Sequence, residues 1–138
     1  AIQGGLLNVK LAHLDQWTSA RRILAGRYDR QFADTPLKVP PLDEHSQRVY
    51  HQYTVLVEHG QRDQLHHHLG QAGIASRIYY PTPLHLQPCF AHFGYGRGQL
   101  PVCEQAAGQV LSLPIFAEMT EPQQDEVIGA VRKFFDVA

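Results

Sequence analysis

Apolar side chains recur at intervals of three and four residues along the N-terminal part of the chain, which is the spacing of one helix face. The members of this face are Ile2, Leu6, Val9, His13, Trp17, Ala20, Leu24 and Tyr28. A second apolar stripe, formed by Leu7, Leu11 and Leu14, lies about a third of a turn away. The pattern predicts one long helix from Ile2 to Phe32, with two apolar faces in its first half.

The next three elements are predicted from prolines, strand-forming residues and a glycine stop. The proline-containing segment Ala33–Arg48 predicts an extended connector, because proline fixes φ and removes a backbone donor. The Tyr- and Val-rich segment Val49–Val57 predicts the first strand. The segment Arg62–Ala72 predicts a short helix with two inward leucines, and Gly73 follows where a left-handed helix stop is expected.

The C-terminal half predicts two more strands and two more helices. Ile74–Ile78 predicts the second strand, Pro101–Val110 a helix with proline in its first turn, and Leu111–Leu113 a short third strand. Thr120 and Gln123 match a capping box, which predicts the start of the last helix. The order of elements predicts an α/β chain of the two-layer α+β type. It would have a small three-stranded sheet with helices on one face, preceded by the long helix.

A stiff loop separates the second predicted strand from the following helix. Arg77–Phe90 contains three prolines, two tyrosines, a histidine and a glutamine. The prolines stiffen the backbone, while the rings supply flat faces, a hydroxyl on each tyrosine and imidazole nitrogens. Such a segment suits a ligand that requires both stacking and hydrogen bonds. The alternative is a proline-rich connector whose rings pack against their own domain.

Composition narrows the class of protein. The 138 residues suit one domain, and the net charge of −1 with interspersed signs gives no basic surface for nucleic acid or a membrane. No apolar run approaches the ~20 residues of a membrane span, and the N-terminal pattern is not that of a signal peptide. Cys89 and Cys103 form no Cys-x-x-Cys pair, which fits reduced thiols and a cytoplasmic location.

Two local patterns are similar to ion sites but lack a required feature. In a helix, the adjacent residues His66–His68 point about 100° apart, so all three cannot close on one metal ion. Gly94, Gly96 and Gly98 are spaced like a phosphate-binding run, but no helix begins in the required register after them. We therefore predict a solvated helix face at the histidines, a flexible turn at the glycines, and no metal site.

Several motifs occur together in the order and spacing of a known family. The longest runs from Gly73 to Pro88 and contains Tyr80-Pro81-Thr82-Pro83-Leu84-His85-Leu86-Gln87-Pro88. The others are Val9–Trp17, Tyr50–Tyr53, Val110–Pro114 and Met119–Gln123. Together they resemble the C-terminal small domain of DegT/DnrJ/StrS-type sugar aminotransferases. These are pyridoxal-phosphate (PLP) enzymes that aminate keto sugars carried on nucleotides, and the resemblance covers almost the whole chain.

The resemblance implies that residues 1–138 form the C-terminal domain of such an enzyme, with a mainly antiparallel sheet, and that the large PLP-binding domain is absent. Enzymes of this class hold PLP as a Schiff base to a lysine. Lys10, Lys38 and Lys133 do not resemble the family's cofactor lysine. We therefore expect no catalytic or cofactor-binding residue here, and no cofactor bound by this chain alone.

The resemblance also implies a substrate site in the stiff loop. Tyr79, Tyr80 and His85 would face the nucleotide-sugar pocket, with Arg77 and Gln87 supporting them. Tyr79 stands where many members have histidine, so a proton-transfer role there is not carried over. The alternatives are a surface ion pair for Arg77 and a helix cap for Gln87. We expect Tyr79, Tyr80 and His85 to be accessible to solvent.

Two functions are consistent with these observations. The first is a C-terminal domain that shapes the substrate pocket and the dimer of a nucleotide-sugar aminotransferase, without catalysis of its own. The second is a free-standing, non-catalytic binding or interaction module, or a gene fragment derived from such an enzyme. In both cases the exposed stripe through Leu7, Leu11 and Leu14 predicts a homo-oligomer built on Ile2–Trp17, in which Gly4-Gly5 lets two backbones approach.

Overall fold

The computed structural model describes residues 2–41 and 45–137, so residues 42–44 of the predicted connector lie outside the described residues. The strands are β1 (Leu37–Lys38), β2 (Tyr53–Val57) and β3 (Val110–Leu113). The α-helices are α1 (Ile2–Leu11), α2 (Leu14–Gln31), α3 (Arg62–Gln71), α4 (Pro101–Gln109) and α5 (Glu121–Phe134), and two 3₁₀ turns span Leu84–Leu86 and Pro88–Phe93. Among the described residues, no helix has the length and apolar character to cross a membrane.

The sheet has the order β1-β2-β3 and is antiparallel throughout. Tyr53 lies opposite Leu113 and Val55 lies opposite Leu111. Because alternate residues of a strand share a face, these side chains and Val57 form one apolar surface. Buried residues of α2, α3 and α5 complete the core against that surface. The predicted α+β class with a small antiparallel sheet is therefore confirmed.

Buried polar groups fix the helices relative to the sheet. The Tyr53 hydroxyl donates to Asp29 Oδ1 over 2.7 Å, and the Tyr28 hydroxyl donates to the Pro114 carbonyl over 3.0 Å. Burial raises the pKa of both phenols above its ordinary value, so both remain donors. Gln124, fully buried, donates through Nε2 to the Leu24 carbonyl over 2.8 Å and so joins α5 to α2.

The shorter predicted helices are confirmed. Gly73 has φ +74°, a left-handed conformation that suits its position after α3. α5 begins at the predicted capping box, in which the Gln123 N–H donates to Thr120 Oγ1 (3.4 Å) and the Thr120 N–H donates to Gln123 Oε1 (2.9 Å). The side chain of each residue thus accepts a hydrogen bond from the backbone N–H of the other, which is the reciprocal pairing of a capping box.

The prediction of one continuous N-terminal helix is wrong. The His13 N–H donates to the Lys10 carbonyl over 3.0 Å, which closes a turn one residue tighter than an α-helical turn and separates α1 from α2. α2 is held by buried residues that include Leu24 and Tyr28, whereas α1 buries no side chain. Both apolar stripes of α1 are exposed, including the stripe through Ile2, which is 82% exposed.

The prediction of a strand over Ile74–Ile78 is also wrong in detail. Arg77 and Ser112 exchange both backbone hydrogen bonds (2.9 and 2.8 Å), but this is a single bridge beside β3 rather than a ladder. The chain then enters the proline-rich loop. Because proline has no backbone N–H to donate, this loop cannot extend the pairing. The third strand is instead β1, which lies in the segment that was predicted as an extended connector.

Candidate functional site

The stiff loop starts from a fixed point on the sheet edge. The bridge between Arg77 and Ser112 anchors its first residue, while the Arg77 side chain remains exposed. The loop then runs through the 3₁₀ turns Leu84–Leu86 and Pro88–Phe93. We call Tyr79–Phe93 the aromatic loop. Its backbone is shaped by prolines and short turns, which lets it hold side chains away from the core.

Tyr80 is held in a strained conformation at the tip of this loop. Its φ is +56°, in the left-handed region that side chains with a Cβ rarely adopt, and it is 74% exposed. Such strain persists only where the surrounding structure enforces it, and it is concentrated at functional sites. Tyr79, at 42% exposed, also presents its ring to solvent. The expected accessibility is confirmed for both tyrosines.

Tyr80 separates two grooves. The first, which we call the proline groove, has a volume of about 600 Å³ and is lined by Tyr80, Pro81, Thr82, Gln87, Pro88 and Cys89. The second, which we call the helix groove, has a volume of about 360 Å³. One wall of the helix groove is the aromatic loop and the other is α4, and its lining residues are Tyr79, Tyr80, Pro83, Leu84, Cys103, Ala106, Ala107 and Val110. The tyrosine ring is therefore available to a ligand on either side.

His85 does not face solvent, so the expected accessibility is wrong for this residue. Its side chain is only 6% exposed, and its Nε2–H donates to Glu104 Oε1 over 3.1 Å. The 3₁₀ turn Leu84–Leu86 turns the imidazole toward the start of α4 rather than toward either groove. His85 thus holds the loop in place, and a direct contact with a ligand is not supported by its position.

Glu104 binds the glycine-rich segment as well. We call Gly94–Leu100 the glycine turn. The Gly98 N–H donates to both carboxylate oxygens of Glu104 (2.8 and 3.0 Å), and the Gly96 N–H donates to Gln99 Oε1 (2.7 Å). These amides are already bonded within the chain, so a phosphate cradle is not supported. The Gly98 hydrogen bonds, followed by that of His85, lower the pKa of Glu104.

Sequence reasoning missed Glu104, although a signal was present. An acidic residue in the first turn of a helix that follows a glycine-rich segment is typical of a side chain that accepts backbone amides. The pairing with His85 had no such signal. It joins positions 19 residues apart through a loop whose turns the sequence did not specify.

Gln87 lies at the start of the second 3₁₀ turn. Its carbonyl accepts the Phe90 N–H over 2.9 Å, whereas its side chain makes no capping bond to the turn. The side-chain Oε1 lies 3.9 Å from the Cys89 thiol, a weak contact that leaves the amide facing the proline groove. Gln87 is therefore brought together with Tyr80 in one groove, while Arg77 lines neither groove.

Two of the three consecutive histidines contact separate partners, and the one between them is exposed. His66 Nδ1 lies 2.7 Å from Ser76 Oγ, His68 Nε2 lies 3.1 Å from the Ala130 carbonyl, and His67 is exposed. This divergence follows from the helical rotation between neighbours. Within residues 2–41 and 45–137, no group of three or more His, Cys, Asp or Glu side chains is arranged to hold a metal ion.

The chain's three lysines bear on the question of a PLP site. Such a site requires a lysine, an acidic group facing the pyridine nitrogen and a cup of donors for the phosphate. Lys38 pairs with Glu58 over 2.8 Å at the sheet edge, and Lys133 is exposed at the end of α5. Lys10 lines an open cleft whose other polar lining residues are Arg21, His51 and Glu118. The three lysines therefore lie in separate surroundings.

Comparison with known proteins gives consistent matches over nearly the whole chain. The model of the DegT/DnrJ/EryC1/StrS aminotransferase family matches residues 1–132. A pleiotropic regulatory protein from Geobacillus stearothermophilus is 44% identical over 97% of this chain. The dTDP-3-amino-3,4,6-trideoxy-alpha-D-glucose transaminase from Streptomyces venezuelae is 40% identical over 96% of it. The chain spans only 36% and 35% of the lengths of these two relatives.

The fold comparison agrees with the sequence comparison. The crystal structure of S. venezuelae DesV in complex with a ketimine intermediate superposes with a TM-score of 0.90 at 39% identity, covering 96% of this chain and 36% of DesV. An aminotransferase structure from Brucella abortus gives a TM-score of 0.88 at 39% identity, covering 97% of this chain and 35% of the other. On these grounds, the chain belongs to the DegT/DnrJ/EryC1/StrS aminotransferase family.

Proposed function

We propose that this chain is the C-terminal domain of a PLP-dependent aminotransferase that acts on nucleotide-linked keto sugars. In this proposal the aromatic loop forms a wall of the substrate pocket, and the cofactor and its lysine are supplied by a large domain outside these 138 residues. The observation that carries the proposal is the strained, exposed Tyr80 between two grooves, in a chain that is similar throughout to sugar transaminases.

The relatives support the ligand class. Two of them are named for transamination of a dTDP-linked and a UDP-linked sugar, from Streptomyces venezuelae and Acidithiobacillus ferrooxidans. A Bacillus subtilis structure with bound PMP, 28% identical to this chain, supports a pyridoxal cofactor in the whole enzyme. A nucleotide sugar presents a flat base, hydroxyls and phosphates, which suit the tyrosine rings and the Gln87 amide.

A ligand titration tests the proposed pocket. Commercial dTDP-glucose is added to isotope-labelled chain, and the backbone and ring signals are followed by NMR. We expect weak binding, with shifts concentrated at Tyr79, Tyr80 and Gln87. Saturable shifts confined to the cleft of Lys10 and Trp17, with the aromatic loop unchanged, would contradict the proposal. A parallel absorbance scan with added PLP should show no stoichiometric Schiff base on the chain's lysines.

A second candidate, a non-catalytic interaction module, is favoured by the surface of α1. Its large apolar side chains, and that of the first residue of α2, are all more than 45% exposed: Ile2, Leu6, Leu7, Val9, Leu11 and Leu14. A Cβ added at Gly4 or Gly5 would meet no atom within 4 Å. The backbone at these two glycines is therefore open to the close approach of a second helix. We propose that this segment pairs with its copy in a twofold homodimer, whichever function holds.

Light scattering at micromolar concentration tests the dimer. We expect a mass above that of the monomer for the natural chain, and a monomer for the double variant Leu7→Asp and Leu11→Asp, because charges in an apolar interface are costly. The matched control is Ile23→Asp, which places a charge on an exposed apolar residue of α2. A natural chain that stays monomeric, or dissociation caused equally by the control, would contradict this surface assignment.

A further inference from the structure

One carboxylate connects three consecutive segments of the chain: the aromatic loop, the glycine turn and the start of α4. Glu104 lies in the first turn of α4 and is mostly shielded, with its side chain 19% exposed. It accepts the Gly98 N–H on both oxygens and the Leu100 N–H on Oε1 (3.4 Å), which holds the glycine turn. It also accepts from His85 Nε2, which holds the aromatic loop. Oxygens with this many donors form a junction rather than an ordinary surface charge.

This junction links the two walls of the helix groove through residues that do not line it. Leu84 lines the loop wall and is followed directly by His85, whereas Cys103 lines the opposite wall and is followed directly by Glu104. The hydrogen bond from His85 to Glu104 therefore joins the two walls next to the groove. Few apolar contacts are available for this task, because Leu84 is 60% exposed and every residue from Ala91 to Cys103 is exposed.

We propose that Glu104 is a positioning residue that fixes the width of the helix groove and the placement of Tyr79 and Tyr80, acting through His85 on the loop side and through the glycine turn on the other. This proposal rests on the proposed function in one respect only, which is the identity of the ligand that enters the groove. The mechanical link between the aromatic loop and the glycine turn is a property of this chain and is tested without any ligand.

The competing explanation is helix capping alone. A carboxylate at this position stabilises the start of α4 by accepting the Gly98 and Leu100 amides, whether or not His85 is present. The two explanations differ in what His85 does to the glycine turn. Under capping alone, removal of His85 leaves the Gly98 and Leu100 amides as protected as before. Under the proposal, removal of His85 reduces the protection of the Gly98 and Leu100 amides from exchange, although His85 contacts neither amide.

Amide hydrogen exchange, measured residue by residue on the whole chain, separates the explanations. In Glu104→Ala we expect exchange at least about tenfold faster at Leu86 and Gln87, whose amides close the first 3₁₀ turn and do not contact Glu104. In His85→Ala we expect several-fold faster exchange at Gly98 and Leu100. The double variant should add little to either effect, because both changes break one junction.

Matched controls keep the result specific. Glu126→Ala and His67→Ala remove exposed side chains on α5 and α3, and neither should change exchange in the aromatic loop or the glycine turn. The amides of Val55 and Leu111 report the sheet. If Glu104→Ala accelerates these as well, the chain has loosened globally, and Glu104→Gln then serves as the milder variant because it keeps the shape and one acceptor oxygen.

The outcomes are distinct. Reciprocal acceleration across the junction, with the sheet unchanged, supports the proposal. Acceleration confined to Gly98 and Leu100 in the Glu104 variants, with no effect of His85→Ala on them, overturns it in favour of capping alone. Titration with dTDP-glucose tests the proposed function independently of the junction. If the exchange data show the reciprocal link but Tyr79 and Tyr80 do not respond to the nucleotide sugar, the proposed function fails and the junction stands.

Discussion

The sheet core and the aromatic loop with its glycine turn are ordered by different means. In the core, Val55, Leu65, Leu69, Leu111 and Val131 are completely buried. From Ala91 to Cys103, by contrast, every residue is exposed. The core is held by the removal of apolar surface from water. The loop region is held by prolines, 3₁₀ turns, local ring contacts of Phe93 and the hydrogen bonds of one carboxylate.

This difference explains how the chain can present aromatic rings to a ligand. Residues that fold a domain must be buried, and they are then unavailable for binding. Tyr28 and Tyr53 pack in the core in a tilted arrangement with ring centroids 4.8 Å apart, while Tyr79 and Tyr80 remain outside it. Rings near the end of the loop, Phe90 and Phe93, stack with centroids 6.1 Å apart, whereas the rings of Tyr79 and Tyr80 are accessible to a ligand. Changes in the two regions should therefore have different consequences.

The largest expected effect is loss of stability from a core truncation. Leu111 is fully buried between β2 and the helices, so Leu111→Ala should lower the free energy of unfolding by about 2–5 kcal/mol. Leu84→Ala, which truncates an exposed leucine of the aromatic loop, should change it by no more than about 0.5 kcal/mol. Urea unfolding followed by circular dichroism measures both. Equal losses would show that the two regions are not ordered by different means.

The core was predictable from the sequence because its pattern is local. The Tyr- and Val-rich segment Val49–Val57 predicted a strand, of which the structure forms the second half, Tyr53–Val57. The inward leucines of α3 and the capping box of α5 lie where predicted. The helix break after Leu11 was not predictable, because no proline or glycine marks it. It reflects the fact that α2 is packed and α1 is not, which is a tertiary property.

The site was predictable only in part, for a similar reason. The prolines and rings of the loop are visible in the sequence, and Tyr79 and Tyr80 are accessible to solvent as expected. The role of His85 was not visible, because it depends on a contact with Glu104, 19 residues away in the sequence. Residues that act through a distant partner are found only when the turns between them are known.

A smaller effect of opposite sign is expected at Tyr80. Its φ of +56° is strained for tyrosine and relaxed for glycine, so Tyr80→Gly should leave the free energy of unfolding unchanged or raise it by up to about 1 kcal/mol. The neighbouring Tyr79 has no positive φ, and Tyr79→Gly should instead lower stability by about 0.5–1 kcal/mol. Thermal unfolding of the two variants gives the comparison. A greater loss for Tyr80→Gly would mean that its ring supports the fold.

Acidification should loosen the loop region through Glu104. The Gly98 amide and then His85 lower the pKa of this carboxyl in the folded chain, so its stabilising contribution is complete above the ordinary pKa of glutamate and is lost as the pH falls through the lowered value. His85 is the titratable group that faces it, and it remains a donor when protonated. NMR titration of the Glu104 carboxyl, in the folded chain and in urea, measures the shift. Titration at the same or a higher pH in the folded chain would contradict the junction.

The central claim is that the aromatic loop forms a wall of a nucleotide-sugar pocket, and a chimaeric enzyme tests it most directly. Residues 1–132 of this chain would replace the matching third of the Streptomyces venezuelae transaminase, and KM and kcat would be measured with the nucleotide sugar of that enzyme. In the chimaera that binds PLP, Tyr80→Ala should raise KM roughly three- to tenfold and change kcat less, as expected for the loss of a stacking contact. Tyr95→Ala, which removes an exposed ring of the glycine turn, serves as the control and should change neither. An unchanged KM for Tyr80→Ala in an active chimaera would contradict the account.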